Sequence, residues 1–141
     1  MSNVRTIRST HKPRHRGASL LEFAIVLPLL LLLIGGVLEY GWMFLKSHQI
    51  ANACRQGARF AATPSATQAG AQSLIASIMS DAGMSASGYT VTWNPALPGV
   101  AAGQPFKCTV SLAYANVSLG FALVPTPTTL SSSVTMMKEG P

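Results

Sequence analysis

Acidic residues are scarce in this chain of 141 residues, which has four of them against ten lysines and arginines. Asp81 is the single aspartate, and Glu22 and Glu39 are separated by an uncharged apolar run. Of the three histidines, only His48 follows that run. General acid–base and metal chemistry need several ionisable side chains brought together, and no nucleophile elbow, phosphate loop or metal motif is present. We therefore expect a protein that is not an enzyme and needs neither a cofactor nor a metal ion.

The net charge of +6 would suit a nucleic-acid-binding protein, but its position in the chain argues against one. Half of the basic residues lie before Gly17, namely Arg5, Arg8, Lys12, Arg14 and Arg16. The remaining chain has five basic residues against four acidic ones, which leaves a charge of +1. Because no aromatic residues are interleaved with this basic leader and no recognition helix accompanies it, we expect no nucleic-acid partner.

An apolar run follows the basic leader. Residues 23–38 carry no charge, and the mostly apolar stretch 18–45 contains only Glu22 and Glu39 as charged residues. A helix needs about 20 apolar residues to cross a bilayer. Aromatic side chains that favour the headgroup layer stand near the far end of the run: Tyr40, Trp42 and Phe44. The run therefore predicts one transmembrane segment over about residues 20–44.

The basic residues also predict the orientation of this segment. Five of them precede the run, whereas Lys46, Arg55 and Arg59 are the nearest ones after it. The positive-inside rule then places the N-terminus in the cytoplasm and the C-terminal part outside it. The alternative is a conventional secretory signal peptide cut near residues 34–36. It fits less well, because the apolar core is long and contains no clean small-x-small site.

Glu22 is a carboxylate near the start of an apolar helix, where lipid makes a charge costly. Cleavage after Gly17 would create an ammonium group at Ala18, four residues before Glu22, which is the spacing of neighbours on a helix. A contact between the two charges, within the chain or with a neighbouring subunit, would offset that cost. Gly17 suits a scissile position because its backbone is not shielded by a side chain. The alternative is that Glu22 simply reaches the membrane interface.

These residues carry a resemblance to a known family. The pattern Gly17-Ala18-x-x-x-Glu22-Phe23 resembles a class III signal, the type that prepilin peptidases cut. The string from Arg16 to Ala62, which continues to Arg-Gln-Gly-Ala-Arg-Phe-Ala-Ala, resembles the TadE-like family of pseudopilins from tight-adherence (Flp-type) pilus systems. The resemblance implies a minor pilin or pseudopilin of the bacterial inner membrane that is cleaved after Gly17. It also implies its partners: a prepilin peptidase, other pilins or pseudopilins, the inner-membrane assembly platform and the lipid bilayer.

Helical periodicity continues beyond the membrane segment until Thr63-Pro64-Ser65, which ends the helix. A stripe of mainly small residues follows one face of this part, at Ile50, Cys54, Gly57 and Ala61. Because small residues allow close approach, we expect this face to pack on a sheet or a sister helix.

The rest of the chain predicts a second helix and a few short strands. Apolar residues at helical spacing predict the helix over Gln68–Ala82, with Gly83 as its stop. Alternation with a period of two predicts strands at residues 89–93, 106–114 and, more weakly, 130–136. Residues 117–124 are ambiguous between a strand and a short helix.

Together these elements predict an α+β, pilin-like fold. A long N-terminal transmembrane and stalk helix packs on a small antiparallel sheet of three to four strands. The predicted organisation is a cytoplasmic leader at residues 1–17, the helix at 18–62 and an extracytoplasmic α+β domain at 63–141.

Cys54 and Cys108 are the only cysteines. Both lie on the predicted extracytoplasmic side, where disulfides persist, and both occupy core-facing positions, one on the helix and one on the clearest strand. A bridge between them would close a loop of about 55 residues and contribute about 4 kcal/mol in the chain-entropy model. The alternative is two buried thiols that never meet.

We therefore expect a structural protein, a minor pilin or pseudopilin that takes part in pilus assembly. The first alternative is an uncleaved single-pass periplasmic adaptor or assembly factor of a secretion or pilus machine. The second is a membrane-tethered enzyme or ligand-binding domain.

Overall fold

The computed structural model describes residues 16–120 and 125–140. Within them the chain forms two helices and three strands: α1 (Arg16–Ala62), α2 (Gln68–Asp81), β1 (Thr90–Asn94), β2 (Pro105–Ala113) and β3 (Thr129–Met137). The chain divides into two compact units, Met1–Ile34 and Gly35–Pro141, so that α1 contributes to both. The predicted leader, apart from Arg16 and Gly17, lies outside the described residues.

The described part of the first unit is the beginning of α1. All its side chains from residue 19 to residue 34 are exposed, and Ile25 and Leu29 reach 72% and 69% exposure. Pro28 lies inside the helix without ending it. Such a long, exposed and apolar helix surface is unfavourable in water and suits lipid or other apolar helices.

The second unit contains a three-stranded antiparallel sheet with the order β1-β2-β3. At its centre Cys108 of β2 pairs with Trp93 of β1 and with Val134 of β3. Alternate side chains of β2 are buried, because successive residues of a strand point to opposite faces. The buried ones are Phe106, Cys108, Val110 and Leu112.

Local sequence fixes both ends of α2. The side chain of Thr67 accepts a hydrogen bond from the Gly70 amide at 3.1 Å, which caps the start of the helix. At the end Gly83 adopts a positive φ of 70°, and the Met84 amide donates to the Met79 carbonyl at 2.8 Å. This is a Schellman motif, in which glycine supplies a left-handed conformation that other residues rarely adopt.

The core of the second unit combines small residues of α1 with large residues from α2 and the sheet. From α1 come Ala53, Cys54, Ala58 and Ala61, each with no exposed surface. Gly57 allows α2 to approach closely, because a Cβ at this position would overlap the side chain of Ile75. The predicted small-residue stripe therefore lies on the buried face of α1, whereas the larger residues Leu45 and Phe60 of the same helix are 47% and 41% exposed.

The predicted α+β fold, with a long N-terminal helix and a small antiparallel sheet, is confirmed, and the sheet has three strands among the described residues. Tyr114, predicted as the last residue of the second strand, instead begins a short 3-10 turn, Tyr114–Asn116. In the ambiguous segment, residues 117–120 form neither strand nor helix, and residues 121–124 lie outside the described part.

Candidate processing and assembly site

The four residues of the predicted processing site lie in the first two turns of α1. The helix begins at Arg16, so Gly17 and Ala18 belong to its first turn, and Glu22 and Phe23 to the turns that follow. Gly17, Glu22 and Phe23 are exposed, and no described atom lies within 4 Å of the position that a Cβ on Gly17 would occupy. Among the described residues, nothing covers the backbone at Gly17.

Ala18 and Glu22 are four residues apart on a continuous helix, which places them one turn and about 6 Å apart along its axis. The first turn of α1 contains no acidic residue, so Glu22 is the first carboxylate after the helix start. With these positions, an amino group at residue 18 and the carboxylate of Glu22 would lie on the same side of the helix.

A continuous apolar surface follows the predicted processing site. It is exposed over nearly its whole length, and α1 is the one helix among the described residues that is long and apolar enough to cross a membrane. Glu22 is its only charged residue before Glu39. This surface is therefore suited to contacts with lipid or with other apolar helices.

The exposed surface ends where other elements of the second unit begin to contact α1. Glu39 is only 2% exposed, and its Oε1 accepts a hydrogen bond from the Tyr114 hydroxyl at 2.5 Å. Burial first, and then the carboxylate of Glu39, raise the pKa of Tyr114. The phenol therefore stays protonated and acts as the donor of this buried contact.

Two further polar contacts hold the next turns of α1. Trp42 donates from Nε1 to the Val117 carbonyl at 2.6 Å, and its ring lies 4.7 Å from the ammonium of Lys46. Lys46, which is 6% exposed, also donates to the Ala82 carbonyl at 2.8 Å, at the C-terminal cap of α2. A cation at this end of a helix is favourable, since the last carbonyls carry the negative end of the helix dipole.

The two cysteines lie side by side as thiols in the core, both without exposed surface. The Cys54 thiol points at the carbonyl oxygens of Cys108 and Ser132, each at 3.5 Å from its Sγ. The hydrogen bond from the thiol of Cys108 lowers the pKa of Cys54 to about 7, although burial raises it. The same hydrogen bond, together with burial, raises the pKa of Cys108.

A lysine closes the far end of α1. Lys138, which follows β3, donates from Nζ to the carbonyls of Ala61 and Thr63 at 3.0 and 2.6 Å. The next amide, that of Glu139, donates to the Ala62 carbonyl at 2.8 Å. These bonds satisfy carbonyls that have no partner within the helix, and they add a positive charge where the helix dipole favours one.

The sequence predicts the processing residues and singles out the cysteines, but it does not predict the polar contacts that tie α1 to the rest of the second unit. In the sequence Glu39 pairs most naturally with Glu22 as a second carboxylate, but the 17-residue spacing separates the two by about 25 Å along the helix. Its partner Tyr114 is 75 residues away in the sequence. The sequence shows only that Glu39 stands beside the aromatic residues Tyr40, Trp42 and Phe44. This pattern does not indicate which residue binds the carboxylate.

Comparison with curated proteins and with solved structures gives no significant match. A family model does match the part of the chain that carries the predicted processing residues and most of α1. Residues 17–59 match the model described as TadE-like protein, which confirms over this part of the chain the resemblance to the TadE-like family that the sequence predicts.

Proposed function

We propose that this protein is a minor pilin or pseudopilin that takes part in assembly of a tight-adherence pilus after prepilin-peptidase cleavage at Gly17. The TadE-like match over residues 17–59 indicates a protein associated with such a pilus. The observation that carries the finer proposal is the surface of α1. This surface begins directly after Gly17 and is apolar and exposed. It carries one carboxylate, Glu22, about a turn beyond the proposed cleavage point.

The contacts of Glu39 suggest where the membrane segment ends. Glu39 accepts a hydrogen bond from Tyr114, and the next turns of α1 donate to the carbonyls of Val117 and Ala82. We therefore assign this part of α1 to the outer domain. The lipid-facing part is then residues 17–38, which span about 33 Å as a helix. This matches a hydrocarbon core of about 30 Å, so the span is shorter at its outer end than the sequence alone predicts.

Assembly would use the same surface. In lipid, helices associate through close packing and through polar contacts rather than through the hydrophobic effect. Cleavage would remove the basic leader and leave an ammonium at Ala18, which a carboxylate on a neighbouring helix can neutralise. Glu22 would supply that carboxylate, and the leucines around it would pack against sister pilins in the inner membrane.

In this proposal the protein acts through contacts and not through catalysis. Its partners are the prepilin peptidase, other pilins or pseudopilins, the assembly platform and the bilayer. The N-terminus faces the cytoplasm before cleavage, and the α+β domain is extracytoplasmic.

The test is N-terminal sequencing of the protein from a host with an active prepilin peptidase. In this host we expect the mature chain to begin at Ala18. In a host without the peptidase we expect the chain to keep its leader. Gly17→Val should abolish processing, because a branched side chain obstructs the protease at the scissile bond. The matched control is Gly41→Val, at another exposed glycine of α1 with no described atom within 4 Å of its Cβ position; it should be processed normally.

An uncleaved single-pass adaptor is the second candidate. The observation that favours it is that α1 begins at Arg16, so the Gly17–Ala18 bond already lies in a helix. A chain that retains its leader in a peptidase-positive host and still supports pilus formation would select this candidate over the first.

A further inference from the structure

The two cysteines occupy the centre of the second unit. Cys54 lies on the buried face of α1, and Cys108 lies on the central strand of the sheet, opposite residues of both neighbouring strands. They are the only cysteines of the chain. The Cys54 thiol points at the backbone of Cys108, and its Sγ lies 3.5 Å from the carbonyl oxygen of that residue.

We propose that Cys54 and Cys108 become joined by an intramolecular disulfide when the protein matures, and that this bond fastens α1 to the central strand β2. This disulfide depends on one part of the proposed function, namely that the domain is extracytoplasmic. Oxidising conditions outside the cytoplasm allow disulfides to persist. Nothing else in the chain competes for either thiol, because there is no third cysteine.

The oxidant in this proposal is the disulfide of an extracytoplasmic thiol–disulfide oxidoreductase. The thiolate of one cysteine attacks that disulfide, which forms a mixed disulfide and releases one oxidoreductase sulfur as a thiolate. The second cysteine then attacks the first cysteine's sulfur, and the oxidoreductase leaves with both its sulfurs reduced. The chain loses two electrons and two protons, the oxidoreductase gains the two electrons, and the protons end on its sulfurs.

Burial determines when this exchange takes place. Neither cysteine has any exposed surface in the folded unit, so an oxidoreductase cannot reach them there. The exchange must therefore happen while the sheet is still closing on α1, and the finished bond would then be protected from reduction. The consequence for assembly is mechanical, because a pull on the membrane end of α1 would be transmitted to the sheet through a covalent bond.

The experiment traps the thiols of the whole protein, as it occurs in the membranes of a host whose extracytoplasmic compartment is oxidising. Cells are denatured in acid and treated with a maleimide carrying a polyethylene glycol chain, which slows migration on a gel for each thiol labelled. We expect no label before reduction and two labels after it. Cys54→Ala and Cys108→Ala should each take one label without reduction. Wild-type protein made in a host without the oxidoreductase should take two.

Two labels on unreduced wild-type protein would overturn the proposal. Protease treatment of intact spheroplasts then separates its failure from that of the proposed function. If the domain is digested from outside, the topology stands and only the bond is lost. If the domain is protected, the orientation assumed for the pilin is wrong as well. Because trapping is done on denatured chains, a variant that folds poorly still reports its thiols.

Discussion

The two ends of α1 are built from different residues and meet different surroundings. From residue 19 to residue 34 the helix presents bulky aliphatic side chains, all exposed. From Ile50 to Ala62 its inward face consists mainly of alanine, with Cys54 and Gly57, and is fully buried. Side-chain size, and not polarity, separates the two parts: the large residues face outward, and the small residues face the protein core.

With α1 as the proposed membrane helix, this difference reflects what each part has to contact. A surface that meets lipid chains needs apolar bulk and no fixed shape. A surface that meets an ordered sheet and a second helix needs room, because folded cores are packed densely and the backbones approach closely. Gly57, which has no space for a Cβ beside Ile75, is the extreme case of the second requirement.

The two carboxylates of α1 differ in the same way. Glu39 is buried in the second unit, where Tyr114 donates to it. Glu22 is exposed on the apolar part of the helix. A buried carboxylate with an internal partner contributes to one folded chain, whereas an exposed carboxylate in an apolar surface remains accessible to another molecule.

The largest effect on stability is expected where the small-residue face is filled. Gly57→Val should destabilise the second unit by about 3 kcal/mol, because the added side chain overlaps Ile75 and forces α2 away from α1. Denaturant unfolding of the detergent-solubilised protein, followed by tryptophan fluorescence, measures it, since Trp42 and Trp93 both lie in this unit. Gly41→Val is the control and should change stability by less than about 0.5 kcal/mol. Equal losses in both variants would mean that the close approach of α2 is not needed.

Local patterns in the sequence were sufficient for the regular elements. The apolar spacing before Gly83 predicted α2, and strict alternation from Phe106 predicted β2, because helix and strand periods are properties of neighbouring residues. The small-residue face of α1 also followed from its spacing. The contacts of Glu39 and Lys138 could not be predicted in this way. Each joins residues about 75 positions apart, and such pairings are decided by the tertiary fold.

A smaller effect is expected at the buried carboxylate. Tyr114→Phe should cost about 2 kcal/mol, since the hydroxyl that donates to Glu39 is lost while the carboxyl group stays buried. The matched control is Tyr40→Phe, which removes an exposed hydroxyl bonded to the Pro125 carbonyl at 2.9 Å. The control should cost clearly less, because water can replace an exposed donor. Similar losses for the two variants would argue against a special role for the buried pair.

The same variant makes a prediction about pH. Because the folded pKa of Tyr114 is raised by burial and by Glu39, the folded chain holds the phenol proton more tightly than the unfolded chain. Its contribution to stability is therefore complete below the unfolded pKa of about 10 and is lost as the pH rises above that value. The difference in unfolding free energy between wild type and Tyr114→Phe should shrink above pH 10. A constant difference across that range would contradict the raised pKa.

Glu22 should show the smallest effect on folding, since it is exposed in the first unit and its removal leaves the second unit intact. Glu22→Gln keeps the size of the side chain and removes its charge, so insertion, processing and unfolding should stay near wild type. On the proposed function, recovery with other pilins should nevertheless fall, because the ammonium of Ala18 on a neighbouring subunit would lose its counter-charge in a medium where an unpaired charge is costly. Co-purification from crosslinked membranes measures this, with Glu139→Gln as the control at an exposed carboxylate outside α1. Undiminished recovery would show that Glu22 needs no partner, and the two carboxylates of α1 would then differ only in burial.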